Sequence, residues 1–91
     1  MKLIVYIQTG CGACEEYLPR LRRIVYAQKY TRERPAPTLA VINLTTPFGM
    51  REAVKHSVSA TPTTDVFSDH NTIRRYKGAL PDVEIERLLL R

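Results

Sequence analysis

Cys11 and Cys14 are the two thiols of this 91-residue chain, and they stand in TGCGACEEYLP, residues 9 to 19, with glycines around the first and a proline soon after the second. Thiols at this spacing can close a reversible disulfide, supply half of a metal site, or pack as small apolar side chains. A tetrahedral zinc site wants four ligands, and the remaining nitrogen donors, His56 and His70, fall on different expected elements without zinc-finger spacing. His56 reads more simply as a surface residue of a helix and His70 as a turn residue. Packing cysteines belong inside an apolar run, whereas these lie among glycines. The redox reading needs the first thiol at the start of a helix, where unpaired N–H groups and the dipole favour a thiolate and lower its pKa from about 8.5 toward roughly 7. Cys11 could then attack a disulfide, and Cys14, one helical turn on, could attack Cys11 in turn and close the pair.

The surrounding elements are legible from periodicity. LIVYI (3 to 7) is branched and aromatic and runs into the glycine turn, as a buried strand does. From Cys11 onward Leu18, Leu21, Ile24, Val25 and Gln28 recur at helical spacing, and Glu15 and Glu16 sit where the helix dipole favours acids. The helix is expected to continue until RPAP (34 to 37), with a kink at Pro19. TLAVINL (38 to 44) reads as a second strand, apolar on both faces and parallel to the first through a right-handed crossover. Thr46 is an N-cap candidate with Pro47 behind it, opening a helix over 48 to 57 that buries some of Phe48, Ala53 and Val54. TTDVF (63 to 67) and TIRRYK (72 to 77) flank SDHN as an antiparallel hairpin. Gly78 ends that strand. Pro81 and Asp82 introduce a last helix with Val83, Ile85, Leu88, Leu89 and Leu90 available for burial.

Length and composition bound what this chain can be. Ninety-one residues allow one hydrophobic core, so a single domain over 1–91 is expected. Apolar residues make up 44% and charged residues 25%, which is ordinary globular usage and far from that of disordered chains. The opening MKLIVYIQTG lacks a secretory pattern, and no stretch approaches the roughly 20 apolar residues of a membrane span. A cytoplasmic protein with no membrane partner is therefore expected, in a compartment where paired thiols are catalytic or metal-binding more often than structural. The formal charge of +5 resides in 20 to 34, where Arg20, Arg22, Arg23, Lys29, Arg32 and Arg34 face Glu33 alone. That segment reads as a solvated helix face; its competing reading is a patch for acidic partners. No nucleic-acid motif accompanies it, so nucleic acid is not an expected partner.

Taken together, GCGAC, Pro19, VSATPT (58 to 63) and YKGAL (76 to 80) resemble, in order, the segments that define the thioredoxin/glutaredoxin superfamily. The resemblance extends over nearly the whole chain. It implies the minimal thioredoxin fold, an α/β architecture of order β-α-β-α-β-β-α with a four-stranded mixed sheet and helices on both faces. It also implies a thiol-disulfide oxidoreductase with Cys11 as nucleophile and Cys14 as resolving thiol. Pro62 matches the family's cis-proline. Gly10, Gly12, Thr61, Gly78 and Ala79 would border a peptide groove, with the Thr61 backbone pairing to the substrate as an added strand.

Departures from the pattern narrow the reading. The chain begins directly with the active-site strand, as glutaredoxins do, and carries Gly10 where thioredoxins have tryptophan. Val5 and Val41 stand where thioredoxins keep a buried aspartate and a lysine, so the Cys14 proton is expected to pass to water. Cys-Gly-Ala-Cys and a single Gly78 differ from the glutaredoxin pattern, and Ala13 implies a centre somewhat less reducing than thioredoxin's roughly −270 mV. The expectations are a monomer with no bound cofactor or metal, acting on protein disulfides and recharged by a thioredoxin reductase or glutathione. Three alternatives stay open: a glutathione-dependent glutaredoxin, an adaptor module that uses the basic helix 20–34 as its contact surface, and a cluster- or zinc-bridged dimer.

Overall fold

Alternation of apolar residues makes Lys2–Ile7 a strand, β1, with Leu3 and Val5 on one face and Tyr6 on the other, all three buried. The computed structural model describes residues 1–28, 35–68 and 73–90. Helix α1 spans Gly12–Tyr26, β2 Thr38–Asn43, α2 Pro47–Lys55, β3 Thr63–Phe67, β4 Ile73–Lys77 and α3 Asp82–Leu89. The strands form one sheet in the order β2-β1-β3-β4. β1 and β2 are parallel, while β1–β3 and β3–β4 are antiparallel. The expected element order and mixed sheet are thus present.

The pleat sorts the two faces. Leu3 lies opposite Leu39 and Val66, and Val5 opposite Val41 and Thr64, so these residues share one face. Against it pack Tyr17, Leu21, Ile24 and Val25 of α1 and Ile85, Leu88 and Leu89 of α3, forming the main core. α2 covers the other face, on which Tyr6, Thr63 and Asp65 are buried. There Arg75 bonds Asp65 through two nitrogens and donates a third bond to the Ser57 carbonyl just past α2.

Several boundaries differ from the sequence expectations. α1 stops at Tyr26, well before RPAP, because the chain closes its last turn: Ala27 N–H donates to Arg23, Gln28 N–H to Val25, and the Gln28 amide to the Ile24 carbonyl. Lys29, Arg32, Glu33 and Arg34 lie outside the described residues, as do Thr72, His70 and most of the SDHN turn. Pro19 sits within a continuous helix and is exposed. β2 ends at Asn43 rather than Leu44 and is an edge strand, so Leu39, Val41 and Ile42 are half-buried and Ala40 is exposed.

α2 begins one residue earlier than expected, with the Thr46 hydroxyl accepting from Gly49 N–H and Pro47 in the first turn. It ends at Lys55, before Ser57 takes the left-handed φ of 56°. Its closely packed side is Gly49 and Ala53, four residues apart, while Phe48 and Val54, expected to contribute to burial, point outward and are 55% and 82% exposed. In α3 the buried set is Ile85, Leu88 and Leu89, and the flanking Val83 and Leu90 remain exposed.

Candidate active site

The Cys pair sits where β1 hands over to α1. Gly10 makes the turn with a φ of +84°, a backbone state that a side chain would disfavour. Cys11 follows as the N-cap of α1 in extended conformation, and its Sγ accepts from the Cys14 N–H at 3.1 Å. An N-cap acceptor is normally an oxygen; a thiol in its place puts sulfur at the positive end of a helix dipole. The two sulfurs are joined as a disulfide with the Cα atoms 5.2 Å apart.

Exposure distinguishes the two cysteines. Cys11 is half-buried at the mouth of the turn, whereas Cys14 is 3% exposed beneath it. Of the two residues, Cys11 is the one more open to solvent. Its sulfur lies 3.8 Å from the Thr61 carbonyl oxygen, a contact the disulfide makes without a proton and a Cys11 thiol would make through its S–H.

Thr61 precedes Pro62 through a cis peptide bond, and Pro62 is buried. Its carbonyl accepts from Gly78 N–H at 2.7 Å, and Gly78 takes a φ of +87° there. Thus residues expected to border a groove, Gly10, Thr61, Pro62 and Gly78, are brought together by the ends of β1, β3 and β4. Gly12 opens α1 next to Cys11 and is exposed, and Ala79 is exposed one residue past Gly78.

Val5 and Val41 are direct partners across β1–β2; Val5 is fully buried and Val41 packs against the core. The polar group of this face is instead the Tyr17 hydroxyl, bonded to the Thr64 hydroxyl at 2.9 Å, with both residues fully buried. Burial raises the Tyr17 pKa above its ordinary value, partly offset by the Thr64 bond and by Arg20. The Arg20 guanidinium stands over the Tyr17 ring at 5.5 Å and reaches the Leu80 carbonyl at 2.9 Å and Asp82 at 2.6 Å. It also pairs with Glu16, whose carboxyl it holds below the usual range.

Arg20 is therefore not a solvated member of a basic face. Together with Arg23, 3.4 Å from Asp82, it ties α1 to the segment after Gly78. Sequence reasoning did not assign Tyr17, Arg20 or Thr64 to the site region. The available signal was spacing: Tyr17 and Arg20 follow Cys14 at three-residue steps on one side of the helix.

Among the described residues no three His, Cys, Asp or Glu side chains are grouped to hold a metal ion. His56 caps α2 and approaches Glu52 at 3.9 Å. No helix among the described residues is long and apolar enough to cross a membrane.

No family model matches the chain, and no curated protein matches it in sequence. Solved structures do match in shape. Chloroplastic thioredoxin z superposes with a TM-score of 0.80 at 14% identity, covering 97% of this chain and 74% of that one. Mitochondrial thioredoxin 3 from Saccharomyces cerevisiae, in its oxidized form, gives 0.75 at 22% identity over 98% and 76%. Thioredoxin 1 from Thermosipho africanus gives 0.73 at 17% identity over 96% and 88%. The order of elements, the sheet topology, the Cys11–Cys14 disulfide at the head of α1 and these superpositions agree: the chain has the thioredoxin fold.

Proposed function

We propose that the protein is a thiol-disulfide oxidoreductase that reduces disulfides in protein substrates by cycling Cys11 and Cys14 between dithiol and disulfide. The observation that carries this reading is the asymmetry of the pair, an approachable Cys11 at a helix N-terminus in front of a buried Cys14. In the forward cycle the Cys11 thiolate attacks one sulfur of the substrate disulfide and the other sulfur leaves as a thiolate. Cys14 then passes its proton to solvent water and attacks Cys11 Sγ, releasing the second substrate sulfur as a thiolate. Two electrons pass to the substrate, whose sulfurs take up protons from solvent, and the Cys11–Cys14 disulfide remains.

The Thr61 carbonyl beside Cys11 supports a substrate that lies as an extended strand over residues 61 and 62, with Gly10, Gly12, Gly78 and Ala79 leaving room beside it. Recharging falls to a thioredoxin reductase or to glutathione, and the cycle fits a reducing, cytoplasmic setting. Engagement of Arg20 and Arg23 by Asp82 leaves less of the basic helix for glutathione carboxylates or for an acidic partner, which favours the thioredoxin-type cycle over the glutaredoxin and adaptor readings.

The test is reduction of insulin disulfides in dithiothreitol by wild type, Cys11→Ser and Cys14→Ser, alongside recharging by NADPH with thioredoxin reductase or with glutathione. Catalysis is expected to vanish in Cys11→Ser, and Cys14→Ser should accumulate a mixed disulfide. Unchanged turnover in Cys11→Ser overturns the mechanism. Turnover of glutathione mixed disulfides by Cys14→Ser at the wild-type rate would move the assignment to the glutaredoxin route.

A further inference from the structure

β2 is an edge of the sheet, and its sequence TLAVIN contains no charge, proline or glycine. Edge strands of soluble proteins are ordinarily guarded by such residues, because their unpaired N–H and C=O groups template pairing with another strand. The register says which groups are unpaired. Thr38 N–H donates to Met1 and Leu44 N–H to Ile7, so the even-numbered residues face β1 and Leu39, Val41 and Asn43 direct their backbone groups outward. The Asn43 carbonyl is already occupied, accepting from Thr46 N–H and from the Thr46 hydroxyl. What remains, among the described residues, is the N–H and C=O of Leu39 and of Val41, and the N–H of Asn43.

We propose that this edge pairs antiparallel with the same edge of a second copy of the chain, about a two-fold axis through Ala40. In that register Leu39 lies opposite Val41 of the second copy and the two exchange both backbone bonds, and the axis repeats the exchange. Asn43 falls opposite Pro37, which has no N–H to offer the occupied Asn43 carbonyl but has a carbonyl to accept the free Asn43 N–H. A register centred on Val41 would instead set the Leu39 N–H against that occupied carbonyl. The two faces also match, because Leu39 and Val41 extend the main core row across the axis while Ala40 meets Ala40.

α2 supplies the additional area. α2 packs on the end of β2 through Gly49, where a Cβ would overlap the Asn43 carbonyl group. Two further apolar side chains of this helix, Met50 and Val54, are 54% and 82% exposed. A specific interface removes roughly 600 Å² or more from each partner, which a single strand edge does not reach; Ala40 and Ile42 of β2 and the exposed apolar side chains of α2, the helix that contacts β2, are what the second copy would have to cover. The absence of charge along TLAVIN suits two chains of like sign, each carrying +5, since their repulsion is then distant and screened by salt.

The experiment is sedimentation equilibrium of the full chain in dithiothreitol, which excludes intermolecular disulfides, at low and high ionic strength. Wild type should form a reversible dimer that strengthens with salt. Ala40 is exposed, so Ala40→Lys and Ala40→Glu should keep the monomer's circular dichroism and melting transition while each loses dimerisation through like charges facing across the axis. Mixing the two variants should restore a dimer, now weakened by salt. A wild type that stays monomeric at millimolar concentration, an Ala40→Lys chain that dimerises as wild type does, or a mixture that fails to associate overturns the proposal.

Discussion

Asp65 and Arg75 face each other across the β3–β4 pairing in a two-bonded ion pair, Nε to Oδ1 at 2.7 Å and Nη2 to Oδ2 at 2.9 Å, with the carboxylate side chain 3% exposed. The third Arg75 bond, to the Ser57 carbonyl, fastens the chain between α2 and Thr61 to the sheet. A buried pair is worth little against an apolar replacement of both partners, but removing one partner strands a charge. Arg75→Met is therefore expected to lose about 3 kcal/mol of stability in urea unfolding, and Asp65→Val with Arg75→Met should lose distinctly less than the sum of the single losses.

Tyr17 and Tyr6 give the fold an alkaline limit. Both phenols have raised pKa values, chiefly through burial, with Asp65 adding to the shift at Tyr6. A phenol that ionises near its ordinary 10.0 in the unfolded chain but resists ionisation in the fold contributes stability that is intact below pH 10. That stability falls as pH rises from there toward the folded-state values. Tyr17→Phe should flatten the loss between pH 10 and 11 and cost about 1 kcal/mol at neutral pH, because the buried Thr64 hydroxyl loses its partner. Denaturant titrations across that pH range read both effects.

What the sequence disclosed was what local chemistry controls. Gly10 before Cys11, Thr46 before Pro47, and Gly78 before Pro81 each mark a boundary through their own backbone preferences, and the structure has boundaries at or within a few residues of all three. Family resemblance anticipated that Gly10, Thr61, Pro62 and Gly78 meet, but residue patterns alone did not disclose which other side chains distant in the chain become neighbours. TLAVIN has the composition of a central strand, and only the order β2-β1-β3-β4 reveals it as an edge. Val54 looks like a core residue until Gly49 and Ala53 are seen to take the close side of α2. Arg20 reads as one positive charge among several because Asp82, its partner, lies 62 residues away.

The glycines separate steric from conformational need. Gly49 packs against the end of β2, and a Cβ there would overlap the Asn43 carbonyl group and come within 3.0 Å of Leu44 Cα. Backbone cannot yield as a side-chain tip does, so Gly49→Ala should cost about 1–3 kcal/mol. Gly10 has open space around it but a φ of +84°, so Gly10→Ala should cost about 1 kcal/mol through backbone strain alone. Gly12 has neither constraint and is helical, so Gly12→Ala should stabilise by about 0.5–1 kcal/mol. Thermal unfolding of the three variants checks the ranking Gly49→Ala, Gly10→Ala, Gly12→Ala from most to least damaging.

Alkylation of the reduced protein tests the division of labour between the two thiols without any substrate. Once the disulfide opens, Cys11 keeps the half-exposed N-cap position and the Cys14 N–H aimed at its sulfur, so charge on that sulfur is met by a donor and a helix dipole. Cys14, at 3% exposure, is closed to a bulky reagent and far less solvated than Cys11, so its thiolate is disfavoured until Cys11 is in a mixed disulfide. Iodoacetamide at limiting amounts should therefore label Cys11 at least tenfold faster than Cys14, with a rate that rises through a midpoint below the free-thiol value of about 8.5. Peptide mass spectrometry after timed quenching from pH 5 to 9 distinguishes the sites. Equal labelling of both cysteines, or a Cys11 midpoint at or above the free-thiol value, would contradict the roles that burial and capping give them.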